Sequence, residues 1–215
     1  MGVEAKICGI GSEEAMAAAL EGGAAFVGLV FYPRSPRHVD FGRAAALARQ
    51  AQGKATVTGL LVDADDAAIK QTLARVPLDL LQLHGSESPR RVAEIRSRFG
   101  LPVMKVLKVE GADDIAAAGA YIQAADRLLF DAKAPKNMAG ALPGGNALSF
   151  DWQLLAGKRW PLPWMLSGGL TADNLEDAVK TSGARAVDVS SGVERKPGVK
   201  DPARIHAFLA GARRL

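Results

Sequence analysis

Three kinds of residue are scarce in this sequence, and each scarcity argues against a class of protein. Only one of its 215 residues is a cysteine, Cys8, so an intrachain disulfide framework is impossible. Only three residues are histidine, which argues against a histidine-rich metal site. Aromatic residues make up 6% of the chain and basic residues occur singly or in pairs, so no nucleic-acid partner is expected.

Long apolar segments are missing as well. No apolar run reaches the roughly 18 residues that a membrane-spanning helix requires. The N-terminus does not have the pattern of a signal peptide. A single thiol is typical of a reducing compartment. We therefore expect a cytoplasmic protein with no membrane partner.

The remaining composition is typical of a globular chain. Hydrophobic residues make up 48% and charged residues 23%, and the length fits one domain. The 27 Lys and Arg residues exceed the 23 Asp and Glu residues, giving a net charge of +4 that favours anionic partners. A phosphorylated small molecule fits this balance. The sequence leaves open whether the chain is a monomer or a homodimer.

Short apolar runs alternate with longer amphipathic segments along the whole chain. The runs are rich in Val, Ile, Leu and Phe, which is typical of parallel strands covered on both faces. Strands are predicted over 5–10, 25–31, 56–62, 78–83, 102–109, 127–131, 164–167 and 186–190. With a helix after each strand, this order predicts an α/β protein, a single-domain (β/α)8 TIM barrel over residues 1–215. A doubly wound open sheet is the alternative, but the first strand lacks the third glycine of a dinucleotide-binding loop.

Local signals mark helix starts and one long loop. The predicted N-caps are Ser12, Ser88, Thr171 and Asp201. The segment 133–149 is rich in proline and glycine, and a loop of this length inside a compact domain is usually functional. We expect it to be a lid-like loop.

Polar and glycine residues stand where the predicted strands end, which is where a barrel carries its chemistry. Ser167-Gly168-Gly169 follows the seventh strand, and Ser190-Ser191-Gly192 follows the eighth. Glycines allow close approach of the backbone to an anion, and N–H and hydroxyl groups then bind phosphate oxygens. We therefore expect Gly168, Gly169, Ser190, Ser191 and Gly192 to hold a substrate phosphate.

Closure of the ring also brings distant residues together. Asp131 ends the sixth strand and Cys8 the first, so the two would face each other across the barrel mouth. This arrangement suits an acid and a base acting on opposite sides of one phosphorylated substrate. Lys6 would lie one layer deeper, and a buried lysine needs a partner such as Asp188.

The motifs at the strand ends follow one another in a specific order. They are Lys6-Ile7-Cys8-Gly9-Ile10, Val30-Phe31-Tyr32-Pro33 with Ser35 and Arg37, Gln82-Leu83-His84-Gly85, Phe130-Asp131, Gly144-Gly145, Phe150-Asp151-Trp152, Leu166-Ser167-Gly168-Gly169-Leu170 and Asp188-Val189-Ser190-Ser191-Gly192-Val193-Glu194. From Lys6 to Glu194 they resemble the phosphoribosylanthranilate isomerase family.

The resemblance implies a reaction of tryptophan biosynthesis. It is the Amadori rearrangement of N-(5-phosphoribosyl)anthranilate to 1-(2-carboxyphenylamino)-1-deoxyribulose 5-phosphate. By analogy Asp131 is the general acid that protonates the furanose ring oxygen, and Cys8 is the general base that removes the proton from sugar C2. Arg37 would pair with the anthranilate carboxylate. No cofactor and no metal are implied.

The chemistry sets further expectations for the site. A free thiol has a pKa of about 8.5, so a nearby cation or N–H donors should lower the pKa of Cys8. Apolar surroundings and the substrate phosphate should favour the protonated form of Asp131. His84 shares a strand face with Gln82, and either a polar pair between them or a substrate contact is consistent with this spacing.

Two other functions fit parts of the pattern. A different phosphosugar-processing TIM-barrel enzyme would need a metal-binding His and Asp set, or a catalytic Lys with Glu, at the strand ends. A non-catalytic phosphate-binding barrel predicts the loss of Cys8 or Asp131, and both are present.

Overall fold

The computed structural model describes residues 2–134, 144–146 and 148–215. Eight parallel strands form one closed barrel in chain order, each paired with its neighbours and the last paired with the first. The strands are β1 Glu4–Cys8, β2 Phe26–Val30, β3 Thr56–Leu61, β4 Leu80–Leu83, β5 Val103–Val109, β6 Arg127–Ala132, β7 Trp164–Leu166 and β8 Ala186–Val189. The predicted TIM barrel is confirmed and the open sheet is excluded.

Helices surround the barrel. They are α1 Glu13–Glu21, α2 Phe41–Ala51, α3 Asp66–Arg75, α4 Pro89–Phe99, α5 Ala112–Ala116, α6 Leu175–Ser182 and α7 Pro202–Arg214. Three predicted N-caps accept hydrogen bonds from the first turns of α1, α4 and α7, namely Ser12, Ser88 and Asp201. In this described part of the chain, no helix is long and apolar enough to cross a membrane.

Thr171 accepts a hydrogen bond from the amide three residues on, as the predicted N-cap would, but it does so one turn before the helix. The helix α6 begins at Leu175, with Asn174 at its N-cap position. Thr171 and Asn174 instead exchange hydrogen bonds: the Asn174 side chain accepts from the Thr171 amide, and the Asn174 amide donates to the Thr171 hydroxyl. This turn replaces the first helical turn because both side chains can bond nearby backbone groups.

The strand–helix alternation is less regular than predicted. Between β6 and β7, the described residues contain only a short 3₁₀ turn, Trp152–Leu155, in place of an α-helix. After β8, a two-stranded hairpin of β9 Glu194–Lys196 and β10 Val199–Lys200 precedes α7. Most of the predicted lid, residues 135–143 and 147, lies outside the described residues.

The barrel interior is layered. Near the amino ends of the strands it is apolar, with the cluster Phe26, Leu80, Met104, Val106, Leu129, Met165 and Ala186. Polar side chains follow toward the carboxyl ends, where the β1–β8 register aligns Lys6 with Asp188. A larger apolar cluster packs the helices against the outside of the strands. This layering puts the charged groups under the mouth of the barrel.

Candidate active site

One cleft at the carboxyl ends of the strands brings together most of the predicted site residues. It is lined by Cys8, Arg37, His84, Asp131, Gly168, Gly169, Ser190 and Ser191, among others. Gly192 does not line the cleft, although sequence reasoning placed it there. A side chain at Gly192 would bring its Cβ within 1.9 Å of the Leu170 carbonyl oxygen, so this glycine allows the loops after β7 and β8 to pack together.

Cys8 ends β1 and is almost fully buried at 4% exposure. Gly28, in the middle of β2, makes room for it. A Cβ at Gly28 would lie 2.9 Å from the Cys8 sulfur and 3.2 Å from the Lys6 ammonium nitrogen. A glycine inside a strand marks such a close approach, and Gly28 stands in the middle of the predicted strand 25–31.

The expected lowering of the Cys8 pKa is wrong for the free protein. Burial raises the pKa of the Cys8 thiol above its ordinary value, although the charges of Lys6 and Lys200 oppose the shift. Desolvation outweighs the two cations because the sulfur sits inside the barrel, where the charged form loses its hydration.

Lys6 and Asp188 form the predicted buried pair beneath Cys8. The Lys6 ammonium donates to one Asp188 oxygen at 2.8 Å, and the Ser167 hydroxyl donates to the other at 3.1 Å. Burial alone would lower the pKa of Lys6, but Asp188 and Cys8 raise it to about 12. Lys6 is therefore charged at neutral pH, and its positive charge favours ionisation of Cys8.

Asp131 and His84 meet on the opposite side of the cleft. His84 Nε2 lies 3.3 Å from Asp131 Oδ2, and His84 Nδ1 lies 3.2 Å from the Gln82 amide nitrogen. When the Gln82 amide donates to Nδ1, the proton of a neutral imidazole is on Nε2 and faces the Asp131 carboxylate. Gly144 approaches both groups, since a Cβ there would be 2.8 Å from Asp131 Oδ2.

Arg37 lies in the loop after β2 and is buried at 7% exposure. Its guanidinium donates to both oxygens of Glu194, at 2.8 and 2.9 Å, and to the carbonyl of Gly145 at 3.1 Å. Glu194 in turn binds Lys200 at 2.8 Å. Sequence reasoning assigned no role to Glu194 or Lys200, because a short hairpin rich in charged residues reads as an exposed loop.

The two predicted phosphate loops lie side by side. Gly168 and Gly169 have φ values of 92° and 64°, which favour glycine. A Cβ at Gly168 would be 2.8 Å from the Ala132 amide nitrogen, so the loop also needs glycine for packing. The Ser190 hydroxyl donates to the Cys8 carbonyl at 3.1 Å, which ties the second loop to the base candidate.

Across residues 2–134, 144–146 and 148–215, no group of three or more His, Cys, Asp or Glu side chains is arranged to hold a metal ion. The cleft instead combines a buried thiol, a carboxylate beside an imidazole, a paired guanidinium and two glycine–serine loops.

Comparisons with known proteins agree with the motifs. The family model described as N-(5'phosphoribosyl)anthranilate (PRA) isomerase matches residues 5–210. A protein of Rhodospirillum centenum named N-(5'-phosphoribosyl)anthranilate isomerase is 60% identical over 215 residues, covering 100% of both chains.

Solved structures agree as well. The crystal structure of phosphoribosyl anthranilate isomerase from Thermotoga maritima has a TM-score of 0.87 and 33% identity, covering 99% of this chain and 100% of that chain. A second isomerase structure, in complex with reduced 1-(o-carboxyphenylamino)-1-deoxyribulose 5-phosphate, has a TM-score of 0.84 and 32% identity, covering 99% of this chain and 100% of that chain. The resemblance drawn from the motifs is confirmed.

Proposed function

The chain belongs to the N-(5'-phosphoribosyl)anthranilate isomerase family, and from this premise we propose how its cleft performs the reaction. It is an isomerase of tryptophan biosynthesis that converts N-(5-phosphoribosyl)anthranilate to 1-(2-carboxyphenylamino)-1-deoxyribulose 5-phosphate. Asp131 is the general acid and Cys8 the general base. The observation that carries these roles is that both side chains line one cleft, from strands on opposite sides of the barrel.

The reaction begins at the furanose ring. Asp131 gives its proton to the ring oxygen while the bond from that oxygen to C1 breaks, and the anthranilate nitrogen supplies the electrons that form a C1 iminium. The Cys8 thiolate then removes the proton from C2, which yields an enolamine. The enol O–H proton then passes to the Asp131 carboxylate and the Cys8 thiol returns its proton to C1, which gives the ketone and restores both groups, so atoms and charge balance over the cycle.

The surroundings support these two roles. His84, at 3.3 Å from Asp131, directs a polar ring atom at the acid. Lys6 lies below Cys8 and Lys200 lies near it, and both charges favour the thiolate that the second step needs.

The substrate's two anionic ends have separate partners. Gly168, Gly169, Ser190 and Ser191 hold the phosphate, because both loops present glycine backbone or hydroxyl groups to the cleft. Arg37 faces the same cleft and pairs with the anthranilate carboxylate. The partner is a phosphorylated small molecule.

The sole cysteine is a free thiol, which suits the reducing cytoplasm.

The test is turnover of freshly generated phosphoribosylanthranilate, followed by the loss of its fluorescence. Wild type should turn over, and Cys8→Ala and Asp131→Asn should each lose about 10²–10⁴-fold in kcat, the usual contribution of a positioned acid or base. Circular dichroism checks that each variant is folded. Glu176→Gln, on the exposed face of α6, is the control.

Each outcome has a distinct meaning. Full activity in folded Cys8→Ala would assign the base to another group. Binding of phosphate by wild type without any turnover would instead support a different phosphosugar enzyme or a non-catalytic barrel.

A further inference from the structure

The β9–β10 hairpin lies beside the cleft and carries two buried charges that the proposed mechanism leaves without a positioning role. Glu194 opens the hairpin and Lys200 closes it. Their side chains are only 4% and 1% exposed, and the Lys200 ammonium donates to Glu194 Oε1 at 2.8 Å. Charged residues are almost never this buried without a specific partner.

Glu194 reaches across to the loop that follows β2. Its two oxygens accept from Arg37 Nε at 2.8 Å and Arg37 Nη2 at 2.9 Å, which is the bidentate geometry that fixes a guanidinium plane. The Glu194 backbone carbonyl accepts from Arg204 of α7, so the carboxylate is anchored at its own base. Glu194 thereby holds Arg37 facing the cleft.

Lys200 reaches in the other direction, to the loop that follows β8. Its ammonium donates to the Ser190 carbonyl at 2.9 Å and to the Ser190 hydroxyl at 3.1 Å. The same hydroxyl donates to the Cys8 carbonyl at 3.1 Å. With Glu194 as its third partner, the ammonium uses all three of its donors. One lysine thus joins the phosphate loop to the residue that holds Arg37.

The hairpin backbone adds a second connection to the Arg37 loop. Gly198 forms the hairpin turn with φ of 82°, and a Cβ there would lie 2.3 Å from the Pro36 carbonyl oxygen. Only glycine permits this approach. The turn is therefore packed against the residue that precedes Arg37.

The charges of Arg37, Glu194 and Lys200 together favour an anionic ligand. Arg37 and Lys200 place two cationic groups beside the cleft against the single carboxylate of Glu194. Burial lowers the pKa of Lys200, and the charge of Glu194 opposes that shift. Lys6 and Asp188 are already balanced. An anion bound in the cleft would offset this excess charge.

We infer that Glu194 and Lys200 are positioning residues that fix the spacing between the carboxylate-binding Arg37 and the phosphate-binding Ser190 loop, and so select ligands that carry both anions. This inference rests on the proposed function. Glu194 acts on the carboxylate end alone, through Arg37. Lys200 acts on both ends, because it contacts both the Ser190 loop and Glu194.

Two stable probes test this division of roles. One is reduced 1-(o-carboxyphenylamino)-1-deoxyribulose 5-phosphate, and the other is its counterpart without the ring carboxylate. Calorimetry on the full chain should show Glu194→Gln binding the carboxylate probe about tenfold more weakly, the size expected for one disturbed charged contact. Its affinity for the probe without the carboxylate should stay within about twofold. Lys200→Met should weaken both probes.

A matched control comes from the other side of the barrel. Glu87 is a buried carboxylate paired with Lys105 at 2.6 Å, away from Arg37 and Ser190. Glu87→Gln should change the affinity for both probes by the same factor. A general loss of packing therefore gives a pattern different from the split expected for Glu194→Gln.

The outcomes separate the inference from the proposed function. If Glu194→Gln weakens both probes equally, its role is structural and the inference is wrong. If wild type binds neither probe, the proposed function fails and the inference fails with it. Should Glu194→Gln not fold, Glu194→Asp keeps the charge but shortens the side chain, and it must show a smaller split in the same direction. If Glu194→Asp weakens the binding of both probes by the same factor, the inference is wrong.

Discussion

Two buried lysine–carboxylate pairs lie on different sides of this barrel. Lys6 and Asp188 are joined at 2.8 Å under the cleft, and Lys105 and Glu87 are joined at 2.6 Å beside β4 and β5. All four side chains are nearly inaccessible to solvent. Chemically the two pairs are alike, so a difference between them must come from their neighbours.

The neighbours differ in whether they can react. Lys105 also donates to the Gly85 carbonyl, and Glu87 accepts from the amides of Asp63 and Gly85. This pair therefore holds together the loops that follow β3 and β4. Lys6 adjoins Cys8 and raises the fraction of thiolate. Burial lowers the pKa of Lys105, whereas Asp188 and Cys8 overcome burial and raise the pKa of Lys6 to about 12. The same residue types stabilise a loop in one region and adjust a reactive group in the other.

The largest effect that tests this comparison is on stability. Lys6→Met and Lys105→Met each leave a buried carboxylate without its partner, which typically costs about 3–5 kcal/mol. We expect both variants to lose a similar share of the free energy of unfolding, measured with urea and tryptophan fluorescence. The loss of kcat in the folded fraction of Lys6→Met, expressed as a free energy, should be smaller than the loss in the free energy of unfolding. A Lys6→Met protein that is stable and folded but inactive would contradict the structural role of this pair.

The next effect concerns the space that β2 leaves beside Lys6 and Cys8. Gly28→Ala places a methyl group 2.9 Å from the Cys8 sulfur and 3.2 Å from the Lys6 nitrogen. Overpacking of this kind costs about 1–3 kcal/mol, and displacement of Cys8, the proposed base, should lower kcat by roughly tenfold to 100-fold. No comparable glycine adjoins Lys105 in the described chain.

Gly119→Ala is the matched control for this prediction. A Cβ at Gly119 has no neighbour within 4 Å among the described residues, so the change should stay within about 0.5 kcal/mol. Equal effects of the two alanine substitutions, in stability and in kcat, would remove the steric role of Gly28.

The fold and much of the cleft could be predicted because they depend on local patterns and on ring closure. Parallel strands covered on both faces read as apolar runs, and all eight begin and end within two residues of the prediction. Adjacency of the first and last strands in a closed ring was enough to pair Lys6 with Asp188. Residues at strand ends, such as Asp131, follow from the same geometry.

What could not be predicted depends on depth and on tertiary contacts. The direction of the Cys8 pKa shift depends on whether burial outweighs the nearby cations, and the degree of burial of the sulfur cannot be predicted from the sequence. Glu194 and Lys200 lie in a charged hairpin that reads as solvent-exposed until Arg37 and Ser190 are seen to cover it. The start of α6 was missed because Thr171 and Asn174 bond each other's backbone amides in a separate turn before the helix.

The smallest effect concerns the pH at which Cys8 ionises. Burial raises the pKa of Cys8, so the thiolate is a minor form at neutral pH, and kcat/KM should rise about tenfold per pH unit until Cys8 ionises. Lys200→Met removes a charge that lowers this pKa, so the rising limb of the pH profile should move to higher pH. The loss of substrate affinity that the same change causes through Ser190 and Glu194 lowers kcat/KM at every pH and does not move the limb. Lys105→Met, on the other side of the barrel, should leave the limb in place.

The ultraviolet absorbance of the thiolate, with Cys8→Ser as the blank, checks this shift without relying on turnover. Because Cys8 is the sole cysteine, the signal reports this group alone. An unchanged titration in Lys200→Met would mean that Lys200 acts only through Ser190 and Glu194. An equal shift in Lys105→Met would mean that charge anywhere in the barrel affects Cys8, and the distinction between the two pairs would then be one of packing rather than of electrostatics.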